Sequence, residues 1–158
     1  MSLARRRTLD GARIAVTGAS GGIGLALAEE FARRGAKLVL NARRAEVLTA
    51  LCTRLGGDGC DTAVAVGDIA EEATRRKLLD VASERFGGLD ILVNNAGVGA
   101  FGRFAEAEPA NLRRILEVDF FATVELTRAA LPLLQTSAKS GERRPAVVNI
   151  GSILGHRG

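Results

Sequence analysis

Short apolar runs alternate with longer amphipathic segments along the chain. The runs lie at 13–17, 37–41, 62–66, 90–93 and 146–150. Each is almost continuously apolar, which is typical of parallel strands that are buried on both faces. Between the runs, apolar residues recur every three or four positions, and this pattern predicts helices that bury one side.

The predicted helices span 22–35, 45–55, 71–86 and 109–135. Pro109 suits a first helical position, and Pro132 is expected to bend or shorten the end of the last helix. The polar segment 137–145 is then a loop. Strands that alternate with helices predict right-handed βαβ units. The expected fold is therefore α/β, a doubly wound parallel sheet that forms a single domain over residues 1–158.

Composition narrows the class of protein. The 158 residues are 47% hydrophobic and 25% charged, an ordinary globular balance. The net charge of +4 is spread along the chain, so it favours an anionic small molecule or plain solubility. A nucleic-acid partner, which needs a dense basic stripe, is not expected. Arg5, Arg6 and Arg7 are interpreted as a solvated tail, with a phosphate or membrane contact as the alternative.

No apolar run approaches the length of a membrane span, and residues 1–13 lack the apolar core of a signal peptide. We therefore expect a cytoplasmic protein that has no membrane partner. In that compartment Cys52 and Cys60 are expected to stay reduced.

A glycine-rich turn lies between the first predicted strand and the first predicted helix. Its sequence, T-G-A-S-G-G-I-G, places Gly18, Gly22 and Gly24 in the spacing G-x-x-x-G-x-G. Glycines here let the backbone approach a pyrophosphate, and a helix N-terminus offers free N–H groups and positive potential. The turn therefore predicts dinucleotide binding, although a purely structural strand–helix corner is the alternative.

Three further motifs follow later strands in a fixed order. They are Asp68 in V-G-D-I, N-N-A-G at 94–97 and N-I-G-S at 149–152. Together with the glycine turn, they make the chain from about residue 11 onward resemble the short-chain dehydrogenase/reductase family. The resemblance implies a Rossmann-type fold and a nicotinamide cofactor. The implied cofactor-binding residues are Thr17, Gly18, Ser20, Gly22, Ile23, Gly24, Arg43, Arg44, Asp68, Ile69, Asn95, Ala96 and Gly97.

The residues after the second strand favour NADP over NAD. An NAD site usually presents an acid there, which holds the ribose 2′-hydroxyl. Ala42 occupies that place and is followed by Arg43 and Arg44, whose guanidinium groups suit a 2′-phosphate. Arg43 is the better candidate of the two. The alternative is that both arginines merely solvate the start of a helix.

The catalytic residues that the resemblance implies are incomplete. In the family a tyrosine exchanges a proton with the reacting oxygen, and a lysine four residues later lowers the tyrosine pKa. A serine hydrogen-bonds the substrate oxygen, and a helix asparagine supports a proton relay. Ser152 matches the serine and Asp119 stands where the asparagine is expected, but the chain has no tyrosine. The lone His156 is expected to be a loop residue rather than a substitute acid or base.

These features predict an NADP-dependent oxidoreductase that acts on a small-molecule carbonyl or alcohol substrate. The chain is then expected to be a C-terminally truncated part of it, ending before the Y-x-x-x-K motif, and the complete protein is expected to be a homo-oligomer. The alternative is a non-catalytic nucleotide-binding or interaction module. A methyltransferase is disfavoured, because it explains neither N-N-A-G nor N-I-G-S.

Overall fold

The computed structural model describes residues 8–57, 59–139 and 143–152. The sequence interpretations of Arg5, Arg6, Arg7 and His156 fall outside these ranges. Within them the chain forms one five-stranded, all-parallel sheet with helices on both faces. The predicted doubly wound α/β fold is confirmed.

The strands lie in the expected apolar runs. They are β1 (Arg13–Thr17), β2 (Lys37–Ala42), β3 (Thr62–Val66), β4 (Ile91–Asn94) and β5 (Ala146–Asn149). The helices are α1 (Gly22–Arg33), α2 (Ala45–Gly57), α3 (Glu72–Phe86), α4 (Pro109–Ile115) and α5 (Ala122–Lys139), with a 3₁₀ turn at Phe104–Glu106 before α4. Apart from the last predicted helix, boundaries differ from the expected ones by only one or two residues, as helix and strand ends commonly do.

The last predicted helix changes its hydrogen-bond pattern partway along. Between α4 and α5 the backbone forms a π turn, Leu116–Phe121. Such turns are rare and occur frequently at functional sites. Asp119 lies inside this turn.

Pro132 does not shorten the helix, and the predicted loop at 137–145 starts too early. The helix α5 continues to Lys139, and Ser137 is buried within it. The reason is packing: Leu126 and Leu134 on the inner face of α5 are at most 4% exposed. Burial of that face outweighs the one backbone hydrogen bond that a proline removes.

Alternate residues of each strand enter two separate apolar layers. Ile14 and Leu38 point into the layer that α1 and α2 cover. Ala15 and Val39 point into the layer that α3 and α5 cover. Because side chains of a strand alternate between faces, strands covered on both sides must be apolar at nearly every position.

The strand order is β3-β2-β1-β4-β5. The chain proceeds outward from β1 to β3 and then returns, so that β4 lies on the other side of β1. The order therefore reverses between β1 and β4. In open α/β sheets, ligands bind in the crevice at the carboxyl ends of the strands that flank such a reversal.

The amino end of the sheet is closed by a buried ion pair. Asp90, directly before β4, is 1% exposed and accepts hydrogen bonds of 2.7–3.0 Å from the backbone N–H and guanidinium of Arg13. Ser137 of α5 also donates to it. Burial opposes ionisation, but the hydrogen bonds from Arg13 and Ser137 and the charge of Arg13 lower the pKa of Asp90 to about 2. The carboxylate therefore ties β1, β4 and α5 together.

Cys52 and Cys60 are free, partly buried thiols near the corner between α2 and β3. Burial raises the pKa of both. Cys60 Sγ donates to the carbonyl of Ala36 at 3.1 Å.

Among the described residues, no helix has the length and apolarity needed to cross a bilayer.

Candidate functional site

The glycine turn and the N-N-A-G segment meet at the strand reversal, because one follows β1 and the other begins in β4. Thr17, the last residue of β1, joins them. Its Oγ1 accepts the backbone N–H groups of Asn95 at 2.9 Å and Ala96 at 3.0 Å, and lies 3.4 Å from the carbonyl of Val93. One hydroxyl thus fixes the start of the loop after β4 against the start of the glycine turn.

Asn95 strengthens the same junction from the other side. Its Nδ2 donates to the backbone carbonyls of Thr17 at 2.9 Å and Gly18 at 3.3 Å. Asn95 therefore stabilises the strand ends.

Two glycines of the turn are required by close packing. At Gly18, where φ is +68°, a Cβ would lie 2.8 Å from the Cα of Ala96. At Gly24, a Cβ would lie 2.4 Å from both the Gly18 carbonyl oxygen and Asn95 Nδ2. No side chain fits at either position without moving backbone atoms.

Gly22 differs from these two. Its φ is +54°, but no described heavy atom lies within 4 Å of the point where its Cβ would stand. No side chain caps the N-terminus of α1 at Gly21, and Ile23 in the first turn is 59% exposed. The space beside Gly22 at the start of α1 is therefore open, and the first amides of a helix, which have no partner within the helix, attract anions. The geometry suits a pyrophosphate.

At the end of β2, the two arginines have different surroundings. Arg44 Nη2 donates to the carbonyl oxygen of Ser20 at 2.9 Å and to its Oγ at 3.2 Å. Arg43 is exposed, and its side chain has no hydrogen bond within the described part of the chain. The structure thus brings Arg44, rather than the favoured Arg43, against the glycine turn. Ala42 beside them is 6% exposed, so this position at the end of β2 carries no carboxylate.

After β3, Asp68 is already engaged by protein groups. One carboxylate oxygen accepts the N–H of Ala70 at 3.0 Å, and the other pairs with Arg114 of α4. Ile69 is 7% exposed and packs into the core beneath the loop. The predicted cofactor residues at 68–69 thus belong to a loop that α4 contacts directly.

The Asp119 carboxylate faces the loop after β4. Its Oδ1 accepts the backbone N–H of Val98 at 2.9 Å and lies 3.6 Å from the Cβ position of Gly97. The family resemblance places Asp119 at the position of the asparagine that supports a proton relay. In the structure its side chain orients the N-N-A-G loop.

On the other side of the reversal, β5 carries Asn149 and leads to Ser152. Asn94 Nδ2 donates to Asn149 Oδ1 at 2.8 Å and to Thr127 Oγ1 at 3.0 Å. Ser152 is exposed and follows the end of β5 by three residues. It therefore stands at the same edge of the sheet as the glycine turn.

Sequence reasoning missed three side chains that organise this edge: Asn94, Arg114 and Arg75. Arg75 had a detectable signal, because it occupies the apolar stripe of α3 that continues through Leu78 and Leu79, and it is 6% exposed. Arg114 had none, since its partner Asp68 is 46 residues away in the sequence.

Known proteins resemble this chain in sequence and in fold. Residues 12–158 match the family described as short chain dehydrogenase. An uncharacterized oxidoreductase of Bacillus subtilis, YxnA, is 35% identical over 145 residues, which are 92% of this chain and 40% of that protein. The chain also resembles a short chain dehydrogenase of Burkholderia cenocepacia that was solved in complex with NADP. The TM-score is 0.82 at 30% identity, over 95% of this chain and 59% of that chain.

The NADH-dependent reductase A1-R′ gives a TM-score of 0.86 at 35% identity, over 95% of this chain and 62% of that chain. This chain thus spans 40% to 62% of the length of these three proteins. The family match covers nearly every residue, and the glycine turn, N-N-A-G and N-I-G-S all lie at one edge of the sheet. The chain belongs to the short-chain dehydrogenase/reductase family.

Proposed function

We propose that this chain is the nucleotide-binding part of an NADP-dependent oxidoreductase that acts on a carbonyl or alcohol group of a small molecule. The observation that carries the proposal is the N-terminus of α1, where no side chain caps the helix and the space beside Gly22 is open. When bound, the nicotinamide gives or takes the hydride. The protein binds the nucleotide and orients it.

Three regions divide the binding between them. The glycine turn from Gly18 to Gly24 receives the pyrophosphate, the loop at Asp68 and Ile69 borders the adenine, and Asn95–Gly97 lies beside the nicotinamide half. Arg43 and Arg44 are assigned to the 2′-phosphate. In support, Arg44 already lies on Ser20, and one solved relative was obtained in complex with NADP. Another relative is NADH-dependent, so cofactor preference needs a direct measurement.

For the reaction itself, Ser152 is assigned to hydrogen-bond the substrate oxygen. Asp119 is assigned a supporting role, in which its carboxylate keeps Val98 and the preceding loop in position. The chain contains no tyrosine that could exchange a proton with the substrate. We therefore expect these 158 residues alone to bind nucleotide without turnover.

Nucleotide binding is measured directly by titration with NADPH. Because the chain has no tryptophan and no tyrosine, NADPH emission is recorded against almost no protein background. The double variant R43A/R44A is expected to lose about tenfold or more in NADPH affinity, because charge-assisted bonds to the 2′-phosphate disappear. Its affinity for NADH is expected to change less than about twofold. Equal losses for both nucleotides would reject the NADP assignment.

The absence of tyrosine keeps a second function in view, a nucleotide-binding or interaction module without catalysis. The coding sequence downstream of codon 158 separates the two. An in-frame Y-x-x-x-K within a short distance supports the oxidoreductase, and a stop codon supports the module. A chain that binds neither NADPH nor NADH contradicts both.

We also propose that the whole protein is a cytoplasmic homo-oligomer. In support, the helix from α4 to α5 carries large apolar side chains that are between 43% and 56% exposed: Leu116, Phe120, Phe121, Val124 and Leu131. Apolar surface of this kind is typical of interaction sites. Sedimentation equilibrium of the full-length protein tests this, and a monomer at micromolar concentration would contradict it.

A further inference from the structure

Arg75 is a buried cation on α3. It is 6% exposed and stands on the face of α3 that also carries Leu78 and Leu79. Replacing a buried ion pair by apolar residues of similar volume is often neutral or even stabilising. The burial of Arg75 is therefore weak evidence that it stabilises the core, and its hydrogen-bond partners are the better guide to its role.

The partners of Arg75 lie on two other elements. Its Nη1 donates to the backbone carbonyl of Ile69 at 2.9 Å and to that of Ala70, while Nη2 pairs with Glu125 on α5. Arg75 thus holds the loop after β3 by its backbone, and Glu125 fixes the guanidinium from the opposite side.

This loop is the one that contains Asp68. From the outside, Arg114 of α4 pairs with the Asp68 carboxylate, which also accepts the N–H of Ala70. Arg75 donates to the backbone carbonyls of the next two residues, Ile69 and Ala70. The two arginines together leave the loop at 68–70 little freedom, and both connect it to the helix from α4 to α5.

We infer that Arg75 is a positioning residue for the adenine half of the nucleotide, acting through the loop at 68–70 and held in place by Glu125. The inference rests on the proposed function. Arg75 does not itself contact the nucleotide. It keeps the carboxylate of Asp68 and the backbone of Ile69 at the carboxyl end of β3, beside the strand end that carries Arg43 and Arg44.

The test compares variants by their dissociation constants for two ligands. Arg75→Met keeps the length of the side chain and removes its donors, and Glu125→Gln removes the charge that orients it. Calorimetry with 2′,5′-ADP reports on the adenine half, and displacement of NADPH by inorganic pyrophosphate reports on the glycine turn. All measurements are made at a temperature at which each variant is fully folded.

Arg75→Met is expected to weaken binding of 2′,5′-ADP about tenfold, because loop carbonyls and Glu125 lose a charged donor. Glu125→Gln is expected to weaken it about threefold, and the double variant should match Arg75→Met because the two side chains act as a unit. Pyrophosphate affinity should stay within about twofold. Arg76→Met is the matched control, since the neighbouring Arg76 is exposed and pairs only with Glu72 within the described part of the chain.

Unchanged binding of 2′,5′-ADP by Arg75→Met overturns the inference, as does an equal loss in Arg76→Met or an equal loss for pyrophosphate. If Arg75→Met does not fold, Glu125→Gln decides, because Glu125 is 46% exposed. Failure of the unsubstituted chain to bind 2′,5′-ADP overturns the proposed function as well. Normal binding by the unsubstituted chain together with normal binding by the variants overturns this inference alone.

Discussion

At the amino end of the sheet, an ionised carboxylate joins β1 to β4. At the carboxyl end, neutral groups join the same two strands. Asp90 joins β1 to β4 through the guanidinium of Arg13 and joins both to α5 through Ser137. At the opposite end of the same two strands, the Thr17 hydroxyl and the Asn95 amide make the connection. Both junctions between β1 and β4 are well bonded, but only the junction at the amino end uses charge.

The difference reflects what else each end must do. A carboxylate beside the glycine turn would compete with a phosphate for the amides of α1 and would repel it. Neutral hydrogen bonds from Thr17 and Asn95 stabilise the strand ends and leave those amides available. At the amino end, Asp90 is paired with Arg13 at 2.7 Å and lies 3.8 Å from Arg143.

Removing the charge at the amino end should have the largest effect on stability. Asp90→Asn is expected to lower the free energy of unfolding by about 3 kcal/mol, because Arg13 keeps a partly buried charge without its counter-ion. Urea unfolding followed by circular dichroism measures this loss. NADPH affinity of the folded variant should not change.

The matched control is Arg54→Ala, which removes an exposed ion pair with Glu29. Exposed pairs contribute little, so the expected loss is about 0.5 kcal/mol or less. A loss in Arg54→Ala as large as that in Asp90→Asn would show that burial is not what makes the amino-end pair important.

Substitutions at two glycines at the carboxyl end should distinguish a glycine needed for packing from a glycine needed for nucleotide binding. Gly24→Ala is expected to cost about 2 to 3 kcal/mol, because the new Cβ meets the Gly18 carbonyl oxygen. Gly22→Ala should cost only about 1 kcal/mol, the strain of a left-handed conformation, since its Cβ would point into open space.

Gly22→Ala, the less destabilising of the two substitutions, should have the larger effect on NADPH affinity. Gly22→Ala is expected to weaken NADPH binding at least tenfold in a chain that is still folded, because the added methyl group lies where the pyrophosphate must approach. If Gly22→Ala binds NADPH as tightly as the unsubstituted chain, the open space beside α1 is not the nucleotide site.

Lowering the pH should weaken the contacts that Asp90 makes at the amino end of the sheet. The pKa of Asp90 is lowered from 3.8 to about 2, so the stability that it contributes is fully present above pH 4 to 5 and is lost as the pH falls towards 2. The amount is about 2 kcal/mol. Urea unfolding at pH 6 and pH 3 should show a smaller change for Asp90→Asn than for the unsubstituted chain. The same change in both would mean that other carboxylates are responsible.

A small loss of stability is expected at Thr17. Thr17→Val leaves the N–H groups of Asn95 and Ala96 without their common acceptor, at a cost of about 1 kcal/mol. Thr17→Ser keeps the hydroxyl and should be close to neutral. Thermal unfolding of both variants measures the difference, and equal melting temperatures for the two would show that the hydroxyl does not stabilise the junction.

Much of the fold followed from local pattern. The boundaries of β1 and β3 agree with prediction because each is a short apolar run between turn residues. The site at the strand reversal was likewise indicated by Gly18, Gly22 and Gly24, whose spacing has a local conformational cause. The family match confirms the resemblance that these motifs suggested.

Other features depended on partners distant in sequence. Ser137 was assigned to a loop from its polarity, yet it is buried, and its hydroxyl group donates a hydrogen bond to Asp90, 47 residues away. Arg44 rather than Arg43 hydrogen-bonds Ser20. This contact joins the end of β2 to the glycine turn, and the two meet only in the assembled sheet. The π turn around Asp119 was not predicted, because the apolar periodicity indicated one continuous helix there.

The sequence by itself determined the alternation of strands and helices, the glycine turn and the family to which the chain belongs. These follow from backbone conformational limits and from apolar periodicity, both of which act over a few residues. Only the tertiary structure decided which charges meet: Arg13 with Asp90, Asp68 with Arg114, and Arg75 with Glu125. A charged side chain shows no local preference for one distant partner over another, and the packing of β1, β4, α3 and α5 selects it.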